Sequence, residues 1–415
     1  MPLLAGLDVG TTSTKAVVID LDGRERGHGR APTTWQPTAD GTEIGAAALL
    51  DGARTAIQDA LSAAPGGEVL GLGVASMAES GVLLGRDGTV LGPVIAWHDA
   101  RDAGEVAEAH AAFGPDEFAL RTGLPLRSQW SLTKHRWLMS HVPAAAGAVR
   151  RLNIAEWIVR SLGGEDVSEP SLASRTGWLD INRGDWWPAA LEWSGARPGL
   201  LPPLAPAGTA LGQVPAAAGL GRLTGAVLTV AGHDHQVAAI GAGATGAGDE
   251  LDSCGTAEAI IRTVPPGLAP QPMLELTRAG ITIGRHALPG RWCLLGATEG
   301  GLVMQHALGR LGAGPADVLT LDTDAWRATL TDVTAQARAL HDAMSRVAGP
   351  HGQLVAVGGW LRSAAFVAVK RQFFGSLLRP VVEEAGARGA ALVAGVAAGA
   401  YPGLSRLPAP VMETL

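Results

Sequence analysis

The chain has 415 residues, of which 47% are hydrophobic and only 17% are charged, and its formal net charge is −7. This composition supplies enough apolar surface for folded cores and excludes an intrinsically disordered chain, while the length favours two domains over one. No run of Lys and Arg forms a basic patch, so we expect no nucleic-acid partner, and any bound anion must be held by local backbone geometry or a metal ion.

Cysteine usage and hydropathy favour a cytoplasmic protein. The two cysteines, Cys254 and Cys293, are too few for a disulfide framework and lack metal-site spacing. The N-terminal segment reaches the acidic Asp8 without a basic region, so we expect no signal peptide. The Ala/Gly-rich stretch 389–400 is too short to span a bilayer, and we expect no membrane partner. The sequence does not decide the oligomeric state, and a homodimer stays open.

The N-terminal part predicts a sheet built from hairpins. Residues 3–9 read as a buried strand that ends in Gly10, and residues 15–19 form a second strand. Asp22-Gly23 provides a tight turn into a third strand. The pattern then predicts, in chain order, a helix at 48–63, strands at 69–75, 82–84 and 90–96, and helices at 103–112, 131–140 and 154–162.

A proline-rich stretch at 198–215 predicts a linker between two lobes. We expect the following strand, 226–230, to open the second lobe, so that the domains are 1–222 and 223–415.

The two halves begin with similar turns. Asp8-Val-Gly-Thr11 precedes an apolar strand, and Ser253-Cys-Gly-Thr256 precedes the apolar run Ala259-Ile-Ile261. A duplicated fold explains this repetition, and chance resemblance in so glycine-rich a chain explains it about equally well.

The first motif that carries chemistry is Asp8-Val-Gly10-Thr11-Thr12-Ser13. Glycine there lets backbone N–H groups turn toward a phosphate, and the hydroxyls add hydrogen-bond donors. A carboxylate at the strand end is suited to hydrated Mg²⁺, which prefers oxygen ligands. The Gly-Lys-Ser/Thr ending of a Walker A loop is absent. In isolation, a tight hairpin with a capping Asp8 is a competing explanation.

The second motif is Gly232-His-Asp234-His-Gln236, between a predicted strand and a predicted helix. A carboxylate placed there can accept a proton from an alcohol that attacks a phosphoryl group. The competing explanation is that Asp234 only caps the following helix. A His-x-His metal pair is less favoured, because no further ligand cluster is evident in the sequence.

The third motif is Gly358-Gly359, which comes after a predicted strand and precedes Ser363 and an amphipathic helix. This arrangement lets a purine and its ribose approach the backbone closely, although a Gly-Gly turn also serves packing alone. The segment 241–246 matches a dinucleotide-binding pattern, but it comes after a predicted helix and lacks a βαβ context. We therefore predict a helix end there, with glycine at the C′ position.

Taken together and in this order, the motifs resemble the FGGY family of carbohydrate kinases. The matching segments are Gly6 to Lys15, Trp97-His-Asp99-Ala-Arg101, Lys134 with Trp137, Glu169 to Thr176, Gly232-x-Asp234, Ser253-Cys-Gly255-Thr256, Gly358-Gly359 and Gly386 to Ala391. The chain is short for the family. Residues 301–350 contain no match to the loop of Pro, Gly-Glu-Arg and Trp that builds one wall of the family's cleft, which leaves the substrate open.

The resemblance implies the two-lobed α/β fold of the actin/hexokinase/Hsp70 ATPases, with duplicated ribonuclease H-like domains and an interlobe cleft. It also implies ATP and Mg²⁺ as cofactors and a small-molecule sugar as substrate. By the same resemblance, Asp234 is the general base and Asp8 holds the metal. The residues expected at the nucleotide and its phosphates are Asp8, Gly10, Thr11, Thr12, Ser13, Gly255, Thr256, Gly358, Gly359 and Ser363. Those expected to contact the sugar are Glu79, Trp97, His235 and Gln236.

Two features indicate different acceptors. Gly-His-Asp-x-Gln at 232–236 is most similar to the family's deoxysugar ketose kinases, such as L-fuculokinase, whereas Glu79 within Ser-Met-Ala-Glu-Ser resembles the polyol kinases. We therefore expect a ketose, a deoxysugar or a polyol. A catalytically silent sugar sensor and an actin- or Hsp70-like ATPase without sugar phosphorylation are the alternatives.

Overall fold

The structure, a computed structural model, describes residues 1–255, 257–314 and 316–415. The strands are β1 (Leu3–Val9), β2 (Ser13–Asp20), β3 (Glu25–Pro32), β4 (Gln36–Pro37), β5 (Thr42–Ile44), β6 (Val69–Ser76), β7 (Gly81–Leu84), β8 (Val94–Ile95), β9 (Arg150–Asn153), β10 (Leu179–Asp180), β11 (Asp185–Trp186), β12 (Val227–His233), β13 (Glu250–Cys254), β14 (Glu258–Val264), β15 (Thr282–Arg285), β16 (Trp292–Thr298), β17 (Leu354–Val357), β18 (Leu378–Pro380) and β19 (Met412–Thr414). The α-helices are α1 (Ala46–Ala63), α2 (Ala103–Phe113), α3 (Pro115–Thr122), α4 (Ser131–His141), α5 (Ile154–Ser161), α6 (Pro170–Ala173), α7 (Pro188–Ser194), α8 (Asp234–Gly241), α9 (Pro270–Arg278), α10 (Gly300–Arg310), α11 (Asp324–Ala348), α12 (Ala364–Phe374) and α13 (Ala385–Ala397).

The first sheet has five strands in the order β12-β6-β1-β2-β3. β12, β6 and β1 run parallel, and β1, β2 and β3 form the predicted antiparallel hairpins. The pairing of β12 with β6 contradicts the expectation that a strand at 226–230 opens the second lobe after a boundary at residue 222. Its apolar residues are buried in the first sheet instead, and the next sheet begins only with β13.

The second sheet has seven strands in the order β15-β16-β14-β13-β17-β18-β19. Within it, β18, β17 and β13 are parallel, while β13, β14 and β16 are antiparallel. The order β18-β17-β13-β14-β16 therefore repeats the order β12-β6-β1-β2-β3 with the same strand directions. This shared topology places Gly10, after β1, and Gly255, after β13, at equivalent positions, which favours duplication over chance.

The two faces of the first sheet are covered by helices from opposite ends of the chain. Alternate β1 residues Leu3, Ala5 and Leu7 pack in the core that contains the buried face of α1. Leu4 packs with α13 on the other face. The approach of α13 is very close, because a Cβ added at Gly6 lies only 2.0 Å from the Ala387 carbonyl oxygen. Gly6 and the small residues of α13 thus allow the backbones of the helix and the sheet to touch.

Most predicted elements are present, with shifted ends. The helix predicted at 48–63 is α1, and the helices predicted at 103–112, 131–140 and 154–162 are α2, α4 and α5. The strand predicted at 90–96 is wrong in length, since only Val94–Ile95 pair as a strand and Val90 makes an isolated bridge.

The segment 241–246 is a helix end, as predicted. Helix α8 ends at Gly241, and Gly243 adopts a φ of 79° at the C′ position. A membrane-crossing helix, which must be both long and apolar, is absent from the described ranges.

Candidate active site

Three segments that contain predicted site residues follow β1, β6 and β12 at the carboxyl-terminal edge of the first sheet. In the parallel strands, the register places Val9 of β1 and His233 of β12 opposite Ser76 of β6. The hairpin after β1, the loop with Glu79 after β6 and the turn at Asp234 after β12 therefore lie side by side. Ligands of open α/β sheets bind beyond the carboxyl ends of parallel strands, so this edge is the candidate active site.

Asp8 stands on the face of β1 that is covered by α13. Its Oδ1 is buried without a hydrogen-bond partner. A Cβ added at Gly386 of α13 lies 2.2 Å from its Oδ2, so this glycine makes room for the carboxylate. Burial and the charge of Asp234 raise the pKa of Asp8 to about 7, while Lys15 opposes the rise.

Asp234 is the first residue of α8, and the N-cap residue is His233. Its Oδ1 accepts a hydrogen bond from the N–H of His235 at 2.7 Å, so the carboxylate contacts the next residue and Asp234 is not the capping residue itself. Burial raises the pKa of Asp234 to about 7; the His235 N–H opposes the rise and the charge of Glu79 adds to it. Two mutually interacting carboxyl groups, at Asp8 and Asp234, thus share the edge.

A lysine lies next to these carboxylates. Lys15 of β2 is directly opposite Asp8 in the β1–β2 register, so the two side chains share a face of the sheet. Its Nζ lies 2.7 Å from Oε2 of Glu384, just before α13. The sequence did not decide where Lys15 points, and Glu384 was not anticipated, because the packing of α13 on this sheet has no local signal.

The hairpin from Gly10 to Ser13 is held by two tryptophans. Trp97 Nε1 donates to Thr11 Oγ1 at 2.9 Å, and Trp35 Nε1 donates to the Thr11 carbonyl at 2.8 Å. The indole N–H of Trp97, a residue expected to contact the sugar, is thus bonded to Thr11 of the hairpin. Trp35 was missed, since one tryptophan among twelve carries no motif.

The remaining hydroxyls of the hairpin differ in exposure. Gly10 closes the turn, donating its N–H to the Ser13 carbonyl at 3.2 Å. Thr12 is exposed, whereas Ser13 is buried and accepts from the Arg30 guanidinium at 3.1 and 3.2 Å. Thr12 is therefore the accessible hydroxyl of the loop.

Glu79 is a strained and buried residue. Its φ of 67° is the only positive value among the described non-glycine residues. Its Oε1 lies 2.6 Å from Arg175 and accepts from Gln129 at 3.2 Å. The Glu79 carbonyl accepts from Ser131 Oγ at 2.6 Å. Arg175 and Gln129 were not predicted at the site, although Arg175 falls within the Glu169–Thr176 segment that the resemblance singled out.

The two residues after Asp234 differ in availability. Gln236 is only 2% exposed, and its Oε1 accepts from the Ala287 N–H at 2.9 Å, so it joins α8 to the segment after β15. His235 is half-buried, and burial lowers its pKa, which keeps the ring neutral near pH 7. Of this pair, His235 is the one available to a substrate.

The second sheet presents an equivalent edge. β13 and β17 are parallel with Ser253 opposite Val357, so Cys254 and Gly358 come next, side by side, and Gly255 follows Cys254. Gly358 has a φ of 113°, and an added Cβ would lie 2.2 Å from the Cys254 carbonyl oxygen, so only glycine fits. Trp360 Nε1 donates to the Gly255 carbonyl at 3.1 Å.

The other predicted nucleotide residues have different surroundings. The space beside Gly359 is open, with no atom within 4 Å of an added Cβ. Ser363 is fully buried and caps α12 by accepting from the Phe366 N–H at 3.2 Å, which engages the hydroxyl expected to bind nucleotide. Thr256 lies outside the described residues.

Among the predicted site residues, Asp8 has a carboxylate oxygen that fits a metal ion. Its buried, unpartnered Oδ1 is an oxygen ligand that protein groups leave free, as hydrated Mg²⁺ requires. A second group, Asp252, Cys254 and Glu258, also has closely spaced ligand atoms. There, Lys370 Nζ bonds Asp252 Oδ2 at 2.6 Å and also bonds Glu258, so an ammonium already neutralises the acids.

The sequence matches known proteins over most of its length. Residues 3–241 match the profile of the N-terminal domain of the FGGY family of carbohydrate kinases. A glycerol kinase from Aromatoleum aromaticum is 29% identical, over 98% of this chain and 92% of that protein. An autoinducer-2 kinase from Photorhabdus laumondii is 32% identical, over 58% of this chain and 47% of that protein.

Solved structures have the same architecture. The xylulose kinase from Rhodospirillum rubrum superposes with a TM-score of 0.87 at 26% identity, covering all of this chain and 93% of that one. The glycerol kinase from Plasmodium falciparum, determined with ADP, also gives a TM-score of 0.87, covering 100% and 94% of the two chains. Its 17% identity supports the fold alone.

Proposed function

This chain belongs to the FGGY family of carbohydrate kinases, and from that premise we propose that it transfers the γ-phosphoryl group of ATP to a hydroxyl of a small sugar or polyol, with Asp234 as the general base. The family premise supports ATP as the donor, and relatives named for glycerol, autoinducer-2 and xylulose support a small acceptor.

The observation that carries the proposal is the environment of Asp234. A general base works best when its pKa lies near the operating pH, and burial raises the pKa of Asp234 to about 7. Its Oδ1 is engaged by the His235 N–H, and 20% of the side chain stays exposed. We therefore assign Oδ2 as the atom that takes the proton of the attacking hydroxyl.

The phosphate-binding assignments rest on the two equivalent sheet edges. In the β1–β2 hairpin, the exposed Thr12 offers a hydroxyl donor to the phosphates. Gly10 and Gly255, which lack side chains, let the phosphates approach the main chain closely. Asp8 would hold Mg²⁺, which would neutralise charge on the phosphates and orient them. The open space beside Gly359 leaves room for the adenosine, and the proposal keeps Gly358 in the same turn, where it packs against Cys254. The same proposal includes Thr11, Ser13, Thr256 and Ser363 among the residues that bind the nucleotide and its phosphates.

The acceptor is proposed to bind at the edge of the first sheet. Glu79 and His235 are the polar side chains available beside Asp234, and Gln129 joins them through its hydrogen bond to Glu79. Arg175 fixes the Glu79 carboxylate, so that its acceptor oxygens are already oriented before a substrate hydroxyl arrives. Lobe closure over this edge would exclude water and suppress ATP hydrolysis.

The test replaces Asp234 by Asn, which preserves size but cannot take a proton. A coupled assay measures ADP release with Mg²⁺ and ketoses, deoxysugars and polyols. Turnover should fall roughly 10²–10⁴-fold, the usual span for a general base, mainly in kcat, with ATP binding retained. Near-normal turnover in a stable Asp234→Asn protein contradicts the assignment.

Asp324→Asn is the matched control, because Asp324 is also the first residue of a helix and is exposed. Both changes remove a carboxylate from a helix N-terminus, so a loss confined to Asp234→Asn cannot come from the helix dipole. ADP release without any sugar would favour the ATPase alternative, and binding of a sugar without ADP release would favour the sensor.

A further inference from the structure

The turn that contains Asp234 packs on two buried, hydrogen-bonded polar side chains, Glu169 and Ser171, which are distant in the sequence. Glu169 is the N-cap of the short helix α6, and its Oε2 accepts from the N–H groups of Ser171 at 2.8 Å and Leu172 at 3.1 Å. The Ser171 hydroxyl also donates to that oxygen. Both side chains are buried, with 1% and 0% exposure, so water does not compete for these bonds.

The Ser171 hydroxyl also reaches the main chain just before Asp234. Its Oγ accepts from the His233 N–H at 2.9 Å, across 62 residues of sequence. The hydrogen-bond direction is thereby fixed, since a hydroxyl that donates to Glu169 presents its lone pairs to His233. The Ser171 hydroxyl, oriented by Glu169, thus holds the last residue of β12.

The main chain at this point has an unusual course. The pairing of β12 with β6 shifts register between Val230 and Gly232, as at a β-bulge, which bends a strand and re-aims the residues beyond it. Gly232 has a φ of 122°, and a Cβ there would lie 2.6 Å from Ser171 Oγ and 3.1 Å from Glu169 Oε2. The turn is packed directly onto the Glu169–Ser171 pair.

We propose that Ser171 and Glu169 are positioning residues that set the main-chain course at His233 and hence the location of the Asp234 carboxylate. The inference rests on the proposed role of Asp234. Neither residue contacts the reacting atoms, since both are enclosed beneath the turn. A shift of about 1 Å at a general base is enough to lower turnover about 10²-fold, so the hydroxyl is expected to matter for rate.

The first experiment compares Ser171→Ala with Ser174→Ala. Ser174 lies in the same segment and its hydroxyl also makes two bonds, to the Pro170 carbonyl and from the Arg285 N–H, but it does not reach β12. Ser171→Ala should lower kcat at least about tenfold, with KM for ATP within about twofold of the parent, while Ser174→Ala keeps kcat. Equal kcat values in the two variants overturn the proposal.

A double variant separates positioning from a general loss of structure. If Ser171 acts through Asp234, then Ser171→Ala combined with Asp234→Asn should turn over no more slowly than Asp234→Asn alone. Multiplied losses overturn the positioning role. Normal turnover of Asp234→Asn instead defeats the proposed base, so the two failures are distinguishable. If Ser171→Ala does not fold, Glu169→Gln takes its place, with an expected loss of at least about threefold in kcat.

Hydrogen exchange gives a readout that needs no activity. Peptides spanning β12 and the start of α8 should exchange faster in Ser171→Ala, because the His233 N–H loses its acceptor. The same peptides in Ser174→Ala should match the parent protein. Unchanged exchange in Ser171→Ala overturns the proposal.

Discussion

Gly386→Ala should disable the site while leaving the protein folded. Gly386 is the second residue of α13, and the added Cβ would lie 2.2 Å from Asp8 Oδ2 and 2.8 Å from its Cγ. Ordinary contacts require more than 3 Å, so the carboxylate must move by about 1 Å. Asp8 is the more mobile partner, because α13 is fixed by its close packing against Gly6.

The expected stability change is small because two effects oppose each other. Overpacking in a tight site typically destabilises a protein by about 1–3 kcal/mol. Replacing Gly by Ala within a helix stabilises the folded protein by up to about 1 kcal/mol. The net loss of about 0–2 kcal/mol should leave a folded protein, whereas displacing Asp8 by about 1 Å should lower kcat about 10²-fold and raise the Mg²⁺ concentration needed for half-maximal rate.

The assay measures ADP release against Mg²⁺ concentration, with urea unfolding of the same samples. Gly104→Ala is the matched control, because Gly104 is also the second residue of a helix, α2, and an added Cβ there meets nothing within 4 Å. That variant should keep full activity and be unchanged or slightly stabilised. Normal kcat and normal Mg²⁺ dependence in Gly386→Ala would refute the placement of Asp8 in the site.

Buried charges give two further predictions. Because burial raises the pKa of Asp234 from 3.8 to about 7, and the base must be deprotonated, kcat/KM should fall about tenfold per pH unit below pH 7; a plateau that extends to about pH 5 contradicts this. Lys370→Met leaves Asp252 and Glu258 buried without their cation and should lower the free energy of unfolding by about 3–5 kcal/mol at pH 7, as measured in urea. A loss under about 1 kcal/mol would contradict the prediction.

The sequence determined the local architecture of the site. An apolar run that ends in Asp-Val-Gly-Thr specifies a strand and a tight hairpin through steric and hydrophobic rules that act within about ten residues. The same rules located the strand-to-helix turn at Asp234 and the helix end at Gly243. Their order along the chain was enough to identify the family, because each motif has a local physical cause.

Only the tertiary structure decided which elements meet. A strand at 227–233 reads the same whether it pairs in the first sheet or the second, and its pairing with β6 was therefore not predictable from its own residues. Helix α13 likewise has no local signal for packing on β1, although this contact brings Gly386 to Asp8 and Glu384 to Lys15. Arg175 and Ser171 reach Glu79 and His233 across 96 and 62 residues. Such pairings arise from burial of complementary surfaces distant in the chain, which composition and periodicity do not encode.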